Sequence, residues 1–530
     1  MSFTRYKPVS IVGLDKVGLV KSATPDQIPD NAWETALNMR PVNGQMETIP
    51  GYEKFVATAL TSADRIMIGD TYTKMSGTQY LVLTTLTKTY YYNTGTSAFT
   101  DIQGASAFTG DEDNYFSVAT AFDTFLIANG VDVIKKWTGT GNIATLGGLT
   151  DCEPGAVSVN ANIVRPFADF VVLFNTIEDG DDYSFRVRWS KKGQLEVWKN
   201  TAGSGQAGYT DLSDSPLPIM QAIGLNDFMV IYKENSIHVM SYVGLPTIFS
   251  FRRVVADRGL YARNAVAAVS GIHYFLSEDN FYAFNGSSIV KIGDNIKDEF
   301  FNDHDVAKRG RIQAHVITST DEIWWLYTST ANASSDYFDK AMVYNYLTGA
   351  WTMVTLADKI TTMFTGSATN NITWDTAPDT TWDDAVGRWN DSTSLQETPI
   401  VLLGDADGYI YRVAAIYSQD GTAYTKQLIS KYHDLQLPAI YKRLTRLDIN
   451  VSTPVSSVDL LVYVGHAKNR GDTLTWAGPY TVTVEDAMTA TIDVDITDVY
   501  FALRFETLAT SDPWELVGYT AWFLPRSHRS

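Results

Sequence analysis

The chain has 530 residues, of which 45% are hydrophobic, 12% aromatic and 19% charged, a composition that excludes a disordered polymer and allows roughly two to four domains. Acidic side chains outnumber basic ones, 60 to 41, for a formal net charge of -19, and the longest basic runs are pairs such as Lys135-Lys136 and Arg252-Arg253. A surface that grips nucleic-acid phosphates is excluded on that ground. Cys152 is the only cysteine, which rules out an internal disulfide or a cysteine zinc cluster and predicts a small buried hydrophobe.

Met1 to Lys7 lacks the apolar core of a signal peptide, and no stretch approaches the roughly 20 apolar residues of a membrane span. The expectation is a protein made in the cytoplasm and left untargeted. Residues 1–54 read as an N-terminal arm. Asp30 is placed to cap a short helix with Trp33, Ala36 and Leu37 on one side. Asn43-Gly44, between 39–42 and 45–49, predicts a two-residue hairpin, and Pro50-Gly51 a closing turn.

From 55 to 415 a module recurs: an apolar strand, a tight polar turn, an aromatic-rich strand and an Asn/Thr-Gly turn. Its clearest copy is His273-Tyr274-Phe275-Leu276, Ser277-Glu278-Asp279-Asn280, Phe281-Tyr282-Ala283-Phe284, Asn285-Gly286. About seven copies are legible, at 80–95, 125–139, 170–190, 228–240, 273–286, 323–351 and 400–412. A hairpin of this kind cannot bury its own apolar face, so repetition implies a radial or stacked array. The spacing suits one four-stranded propeller blade per copy; β-sandwich hairpins without radial symmetry are the alternative.

An excursion near 355–397 interrupts the pattern. It carries Thr373-Trp374-Asp375, Thr381-Trp382-Asp383-Asp384 and Trp389. Trp374, Trp382 and Trp389 are candidate partner-interface residues, because exposed Trp is enriched at interface hot spots; mutual packing in a long loop is the other reading. A helix is predicted from Asp294, as its cap, to Lys308, with Ile296, Phe300 and Phe301 on one face and docked outside the array. Residues 416–530 change style. Runs such as 444–451, 458–464, 490–496 and 500–505 alternate with period two, which predicts a β-sandwich with one wet face. The fold class is therefore all-β: a propeller-like core of repeated antiparallel blades, an added C-terminal β-sandwich and few helices.

Chemistry is sparse. There is no G-x-S-x-G elbow, Walker loop, dinucleotide fingerprint or His-Glu-x-x-His motif, and the 7 histidines are scattered without ligand spacing. Gly404-Asp405-Ala406-Asp407-Gly408 has the flavour of a calcium loop but lacks the later bidentate Glu, so a tight turn is expected. The sialidase-type Asp-box is missing. No catalytic, cofactor or metal residue is assigned, no cofactor is expected, and the chain reads as a non-enzyme.

The stretch from Phe228 to Gly293 combines Val230-Ile231-Tyr232-Lys233-Glu234-Asn235-Ser236-Ile237, Phe249-Ser250-Phe251-Arg252-Arg253, Asp257-Arg258-Gly259 and Phe275-Leu276-Ser277-Glu278-Asp279-Asn280-Phe281-Tyr282. With Ile28 to Trp33, Arg188-Trp189-Ser190 and Asn345 to Trp351, it resembles the tail nozzle proteins of short-tailed bacteriophages, also called tail tubular protein B or packaged-DNA stabilisation proteins. That resemblance implies a structural virion protein in the phage tail, made in the host cytoplasm. It implies a homohexameric ring at the distal end of the DNA channel that retains the packaged genome and allows its ejection. Tail adaptor or portal-proximal proteins and tail fibres or spikes would be its partners, with phage DNA passing through unread. A lumen lined by Asp and Glu would suit such a conduit. Two other classes stay open: a propeller glycosidase or depolymerase, and a glycan-binding module, acting at the host cell surface.

Overall fold

The computed structural model describes residues 6–61, 64–200, 205–215, 217–367, 399–435, 437 and 440–528. The copy at 273–286 explains the architecture. Ile272–Leu276 and Phe281–Phe284 pair antiparallel with Phe275 opposite Tyr282, flanked by Val266–Val269 inside and Ile289–Lys291 outside. Both faces of this sheet are covered by its neighbours. Phe275 lies 5.4 Å from Tyr232 on one side, and Phe281 lies 5.0 Å from Trp325 on the other.

The same four-stranded unit recurs around a ring. Five units are separate sheets, spanning 66–101 (blade 1), 117–145 (blade 2), 159–211 (blade 3), 219–255 (blade 4) and 266–291 (blade 5). Two more are built inside a larger sheet, making seven blades among the described residues. Trp351–Gly366 serves both. Its first half pairs with Phe338–Asn345 as the outer strand of blade 6, and its second half pairs with Ile400–Asp405 as the inner strand of blade 7. Blade 7 is completed by Ile410–Val413 and by Tyr52–Lys54 from the other end of the propeller segment. The inner strand of blade 7 then contacts that of blade 1, where the Thr361 hydroxyl donates to the Ile66 carbonyl at 2.7 Å. The ring is thus closed by hydrogen bonds between distant segments. The repeated module is the second and third strands of each blade, the pair covered on both faces and so the most apolar.

The remaining strands form a two-sheet sandwich. One sheet contains Met488–Asp498, Ile440–Ser452, Glu515–His528, Gln45–Thr48 and Met39–Val42, with Lys7–Val12 also on Glu515–His528. The other runs through Gly18–Leu19, Ala32–Leu37, Tyr424–Ser430, Tyr500–Thr510, Val458–Ala467 and Thr475–Val484. Burial alternates along Val458–Ala467 and Met488–Asp498, as the period-two runs require. Residues set apart from the sequence as an arm therefore supply strands to both sheets. Asn43-Gly44 does turn a hairpin, with φ of 47° and 94°.

The expected helix at Trp33–Leu37 is a strand, Ala32–Leu37. Its register shifts between Trp33 and Thr35, so Trp33 and Ala36 are both buried although three residues apart. The bulge imitates helical spacing. Gly18 joins the sandwich to blade 6: it lies beside Trp351 in parallel pairing, with φ of 68°, and a Cβ there would meet the Trp351 carbonyl oxygen at 2.5 Å.

The predicted helix at 294–308 is shorter, Lys297–Asp303, followed by a 3-10 turn at Val306–Arg311. Asp294 does not cap it; its carboxylate accepts from Asn280 Nδ2 at 2.6 Å. Phe300 carries the docking, 5.1 Å from Phe281 and 5.0 Å from Tyr327, between blades 5 and 6.

His433 fastens the sandwich. Its N–H donates to the Phe501 carbonyl, and its ring pairs with the Tyr519 hydroxyl at 3.0 Å. Burial, aided by Lys431 and opposed by Asp30, holds its imidazole down at about 4. The unfolded chain, with a histidine near 6.5, takes up a proton first. This residue's stability contribution is therefore intact above about pH 6.5 and is lost as pH falls towards 4. Urea midpoints measured across that window are expected to fall less steeply for His433→Gln than for the parent. Parallel profiles would remove His433 as a source of acid sensitivity.

Candidate functional site

Inner strands of a propeller converge, so side chains at their leading ends meet near the axis. Arg65 and Met67 enter blade 1, Glu112 and Tyr115 precede blade 2, Asn264 precedes blade 5, Arg311 and Gln313 enter blade 6, and Thr361 enters blade 7. Together they line a solvent-open cleft whose accessible volume is about 20 Å³, room for roughly one water molecule and well below the usual range for ligand sites. Some of these groups hold the wall. The Gln313 amide donates to the Met363 carbonyl at 2.8 Å and accepts from its N–H at 3.0 Å, bridging blades 6 and 7. Arg311 donates to Asp113 at 3.1 Å and Asp336 at 2.8 Å. Burial disfavours its charge, but Asp113 and Asp336 outweigh that and raise its pKa. Lys308 also pairs with Asp336.

On the inner strand of blade 3, Arg165 ties three blades together. Its guanidinium donates to Ser117 Oγ at 2.9 Å in blade 2, and to the Ala222 carbonyl at 2.9 Å and Gln221 Oε1 at 3.0 Å in blade 4. Burial lowers it to about 10, with Asp70 of blade 1 opposing. Burial in turn pushes the Asp70 carboxyl up to about 6, against the Thr71 N–H and Arg165. Arg263 donates to Asn162 Oδ1 at 3.1 Å; burial and then Arg165 bring it down to about 9. Burial, then Arg311, likewise lowers Arg65. Each of these side chains keeps some exposed surface, although protein surrounds it.

Three buried donor atoms here have no hydrogen-bond partner among the described residues: Arg65 Nε, Tyr115 Oη and Arg263 Nη2. Burying such groups unpaired costs about 1–3 kcal/mol each, and more when charged. The arrangement can therefore receive acceptor oxygens from a ligand, while Glu112 offers a carboxyl group at the cleft.

None of these residues stood out in the sequence. The arginines are single residues far apart in the chain, Arg165 within an inner strand and Arg65, Arg263 and Arg311 one to three positions before one, and only the blade register brings them together. Trp374, Trp382 and Trp389 lie outside the described residues. The turn at 404–408 is held internally, with Asp405 Oδ1 accepting from the N–H of Asp407 at 3.0 Å and of Tyr409 at 2.6 Å. Among the described residues no three His, Cys, Asp or Glu side chains are grouped to hold a metal. Cys152 is buried, its thiol pushed up to about 11 by burial. No helix of the described residues is long and apolar enough to cross a membrane.

No protein-family model matches the chain, and no curated protein matches it. Solved structures do. The extracellular domain of a hybrid two-component system from B. thetaiotaomicron is 12% identical, over 53% of this chain and 35% of that one, with a TM-score of 0.33. PorZ, a surface component of the Porphyromonas gingivalis type-IX secretion system, is 9% identical over 69% and 38%, with a TM-score of 0.36. The exo-β-1,3-galactanase of Phanerochaete chrysosporium is 9% identical over 86% and 100%, with a TM-score of 0.29. The chain spans just over a third of the length of the first two, and the likeness is one of fold. These matches correct the resemblance to phage tail nozzle proteins: they are surface-associated domains and glycoside hydrolases rather than tail proteins. The nozzle function, the virion and tail location and the reading as a non-enzyme are withdrawn on the same finding, and the all-β propeller fold is what stands.

Proposed function

We propose that the protein recognises a saccharide in the axial cleft of its propeller, as a glycan-binding module or a glycosidase acting on cell-surface glycan. The observation that carries this reading is the set of unpartnered donors beside a carboxylate at a solvent-open cleft: Arg65 Nε and Tyr115 Oη with Glu112. A sugar diol supplies acceptor oxygens for the first two and hydroxyl donors for the third. Hydrolysis as the further step would need a carboxylic acid at the cleft, and Glu112 is the carboxyl that lines it.

The test is calorimetric titration of the full chain with oligosaccharides chosen from a glycan array, alongside assay of reducing ends released. Glu112→Gln and Tyr115→Phe are each expected to weaken binding about tenfold, the scale of one hydrogen bond involving a charged or buried group. Glu112→Gln is further expected to abolish any release of reducing ends. Absence of binding to every glycan, or binding untouched by both cleft variants, would overturn the proposal.

A further inference from the structure

We infer that the axial cleft takes a ligand bearing an oxyanion, a carboxylate or sulfate group, received by Arg263 and Arg65. This deepens the saccharide reading and rests on it for the nature of the rest of the ligand; the anion site itself stands on the charges around the axis.

The four axial arginines are not equivalent. Arg311 is bonded to two carboxylates, Asp113 and Asp336. Arg165 has its guanidinium hydrogen-bonded on each of its three nitrogens, and the Asp70 carboxyl of blade 1 also attracts it. Arg65 and Arg263 lack such pairing. The side-chain bond of Arg263 goes to a neutral amide, Asn162 Oδ1, and that of Arg65 to the Asp336 backbone carbonyl at 2.5 Å. Glu112 attracts Arg65 only at longer range. Each leaves a buried nitrogen without an acceptor, Arg263 Nη2 and Arg65 Nε, with the Tyr115 hydroxyl also unpartnered in the same region.

A guanidinium stays protonated in proteins, so neutralisation is not a way out of this burial. Unpaired buried charge is expensive, and like charges, Arg165 against Arg263 and Arg311 against Arg65, add to the cost. A neutral hydroxyl would satisfy the geometry but leave the charge. An oxyanion satisfies both, and guanidinium donors match the paired oxygens of a carboxylate or sulfate. Four carboxylates, Asp70, Glu112, Asp113 and Asp336, face the four arginines, but they are engaged with Arg165 and Arg311 or act on Arg65 from a distance, so the charge left without a bonded counterpart is that of Arg263 and Arg65.

The test uses the full chain and inorganic sulfate as probe. Thermal unfolding is followed in sulfate and in chloride at matched ionic strength for the parent, Arg263→Gln, Arg65→Gln and the control Arg252→Gln. Sulfate stabilises proteins generally by exclusion from their surface, so the reading is the difference between variants. A bound anion adds stability that grows with its concentration. The parent and the control are expected to gain the larger shift, and the two axial variants only the general one. Equal shifts in all four proteins would overturn the inference. Should Arg263→Gln fail to fold, Arg263→Lys keeps the charge and loses the fork, and is expected to bind sulfate more weakly than the parent.

A second arm separates this inference from the saccharide reading. A uronic-acid oligosaccharide, its neutral methyl ester and a sulfated neutral oligosaccharide are titrated against parent and Arg263→Gln. The acidic ligands are expected to bind at least tenfold tighter than the ester, with the preference erased in Arg263→Gln, and the tighter of the two names the anion. Binding of the ester equal to that of both acids, and unaffected by Arg263→Gln, would leave a saccharide site and remove the anion. A sulfate effect lost in Arg263→Gln, without binding of any saccharide, would keep the anion site and remove the saccharide.

Discussion

Replacing Trp351 with alanine is expected to lower stability by about 3–5 kcal/mol, the range for truncating a fully buried large aromatic. Trp351 has no exposed surface and stands where three parts of the molecule meet. Its backbone pairs with Tyr344 in blade 6 and with Gly18 in the sandwich. Its indole N–H donates to the Ile292 carbonyl at 2.9 Å, next to blade 5. Its ring lies 4.8 Å from Tyr344, 4.9 Å from Phe281 and 5.5 Å from Trp325. Alanine would leave a cavity that these rings cannot all move to fill, and would strand a carbonyl. Chemical denaturation followed by tryptophan fluorescence and far-UV circular dichroism measures the effect. If propeller and sandwich unfold in separate steps, both are expected to shift, because the residue belongs to both. A shift in one step alone would show that Gly18 and Trp351 do not couple them.

The second large effect is expected at Glu178, in blade 3. This carboxylate is nearly sealed from solvent and accepts four hydrogen bonds. Thr176 and Arg188 Nε reach one oxygen at 2.9 Å each, and Arg188 Nη2 and Arg186 Nη1 reach the other at 2.6 and 2.8 Å. Arg186 is further held by Asp211 and stacks on Tyr183. Glu178→Ala would leave Arg188, itself fully buried, without a counter-charge, and breaking a buried pair in this way costs about 3–5 kcal/mol. Glu178→Gln keeps the shape but turns an amide N–H₂ towards a guanidinium, so it is expected to destabilise as well, though less.

The same site has a pH signature. Burial works to raise the Glu178 carboxyl, but Arg188, Thr176 and Arg186 outweigh it and hold the pKa below the ordinary 4.5. The unfolded chain therefore binds a proton before the folded one as pH falls. The stabilisation is fully present above about pH 4.5 and disappears as pH drops through the lowered folded value. Stability measured from pH 6 downwards is expected to fall more gently below 4.5 in Glu178→Gln than in the parent. An equal slope would mean that other carboxylates govern acid unfolding.

Much of the architecture is local, and it was legible for that reason. The middle hairpin of each blade is covered on both faces, so its apolar runs are continuous wherever it occurs. The sandwich strands have one wet face and alternate. Asn43-Gly44 reads as a hairpin because two successive positive φ values favour those residues. The tail-nozzle resemblance rested on similar phrases, such as Ser277 to Asn280 and Asn345 to Trp351. Those are turn chemistry shared by β-arrays in general, which is why they could not carry a function.

The rest was decided by pairing at a distance. Tyr52–Lys54 closes the ring against Ile410–Val413, and residues 7–48 become sandwich strands because the partners near 430 and 520 are there to receive them. One bulge at Trp33–Thr35 was enough to turn strand spacing into apparent helix spacing. The axial cleft is the extreme case: Arg65, Tyr115, Arg263 and Arg311 have no common motif, and each precedes the inner strand of a different blade. By itself the sequence determined which segments are strands covered on both faces and which are wet on one. Only the tertiary structure decided what surrounds the axis, because radial convergence brings together side chains whose separation along the chain carries no signal.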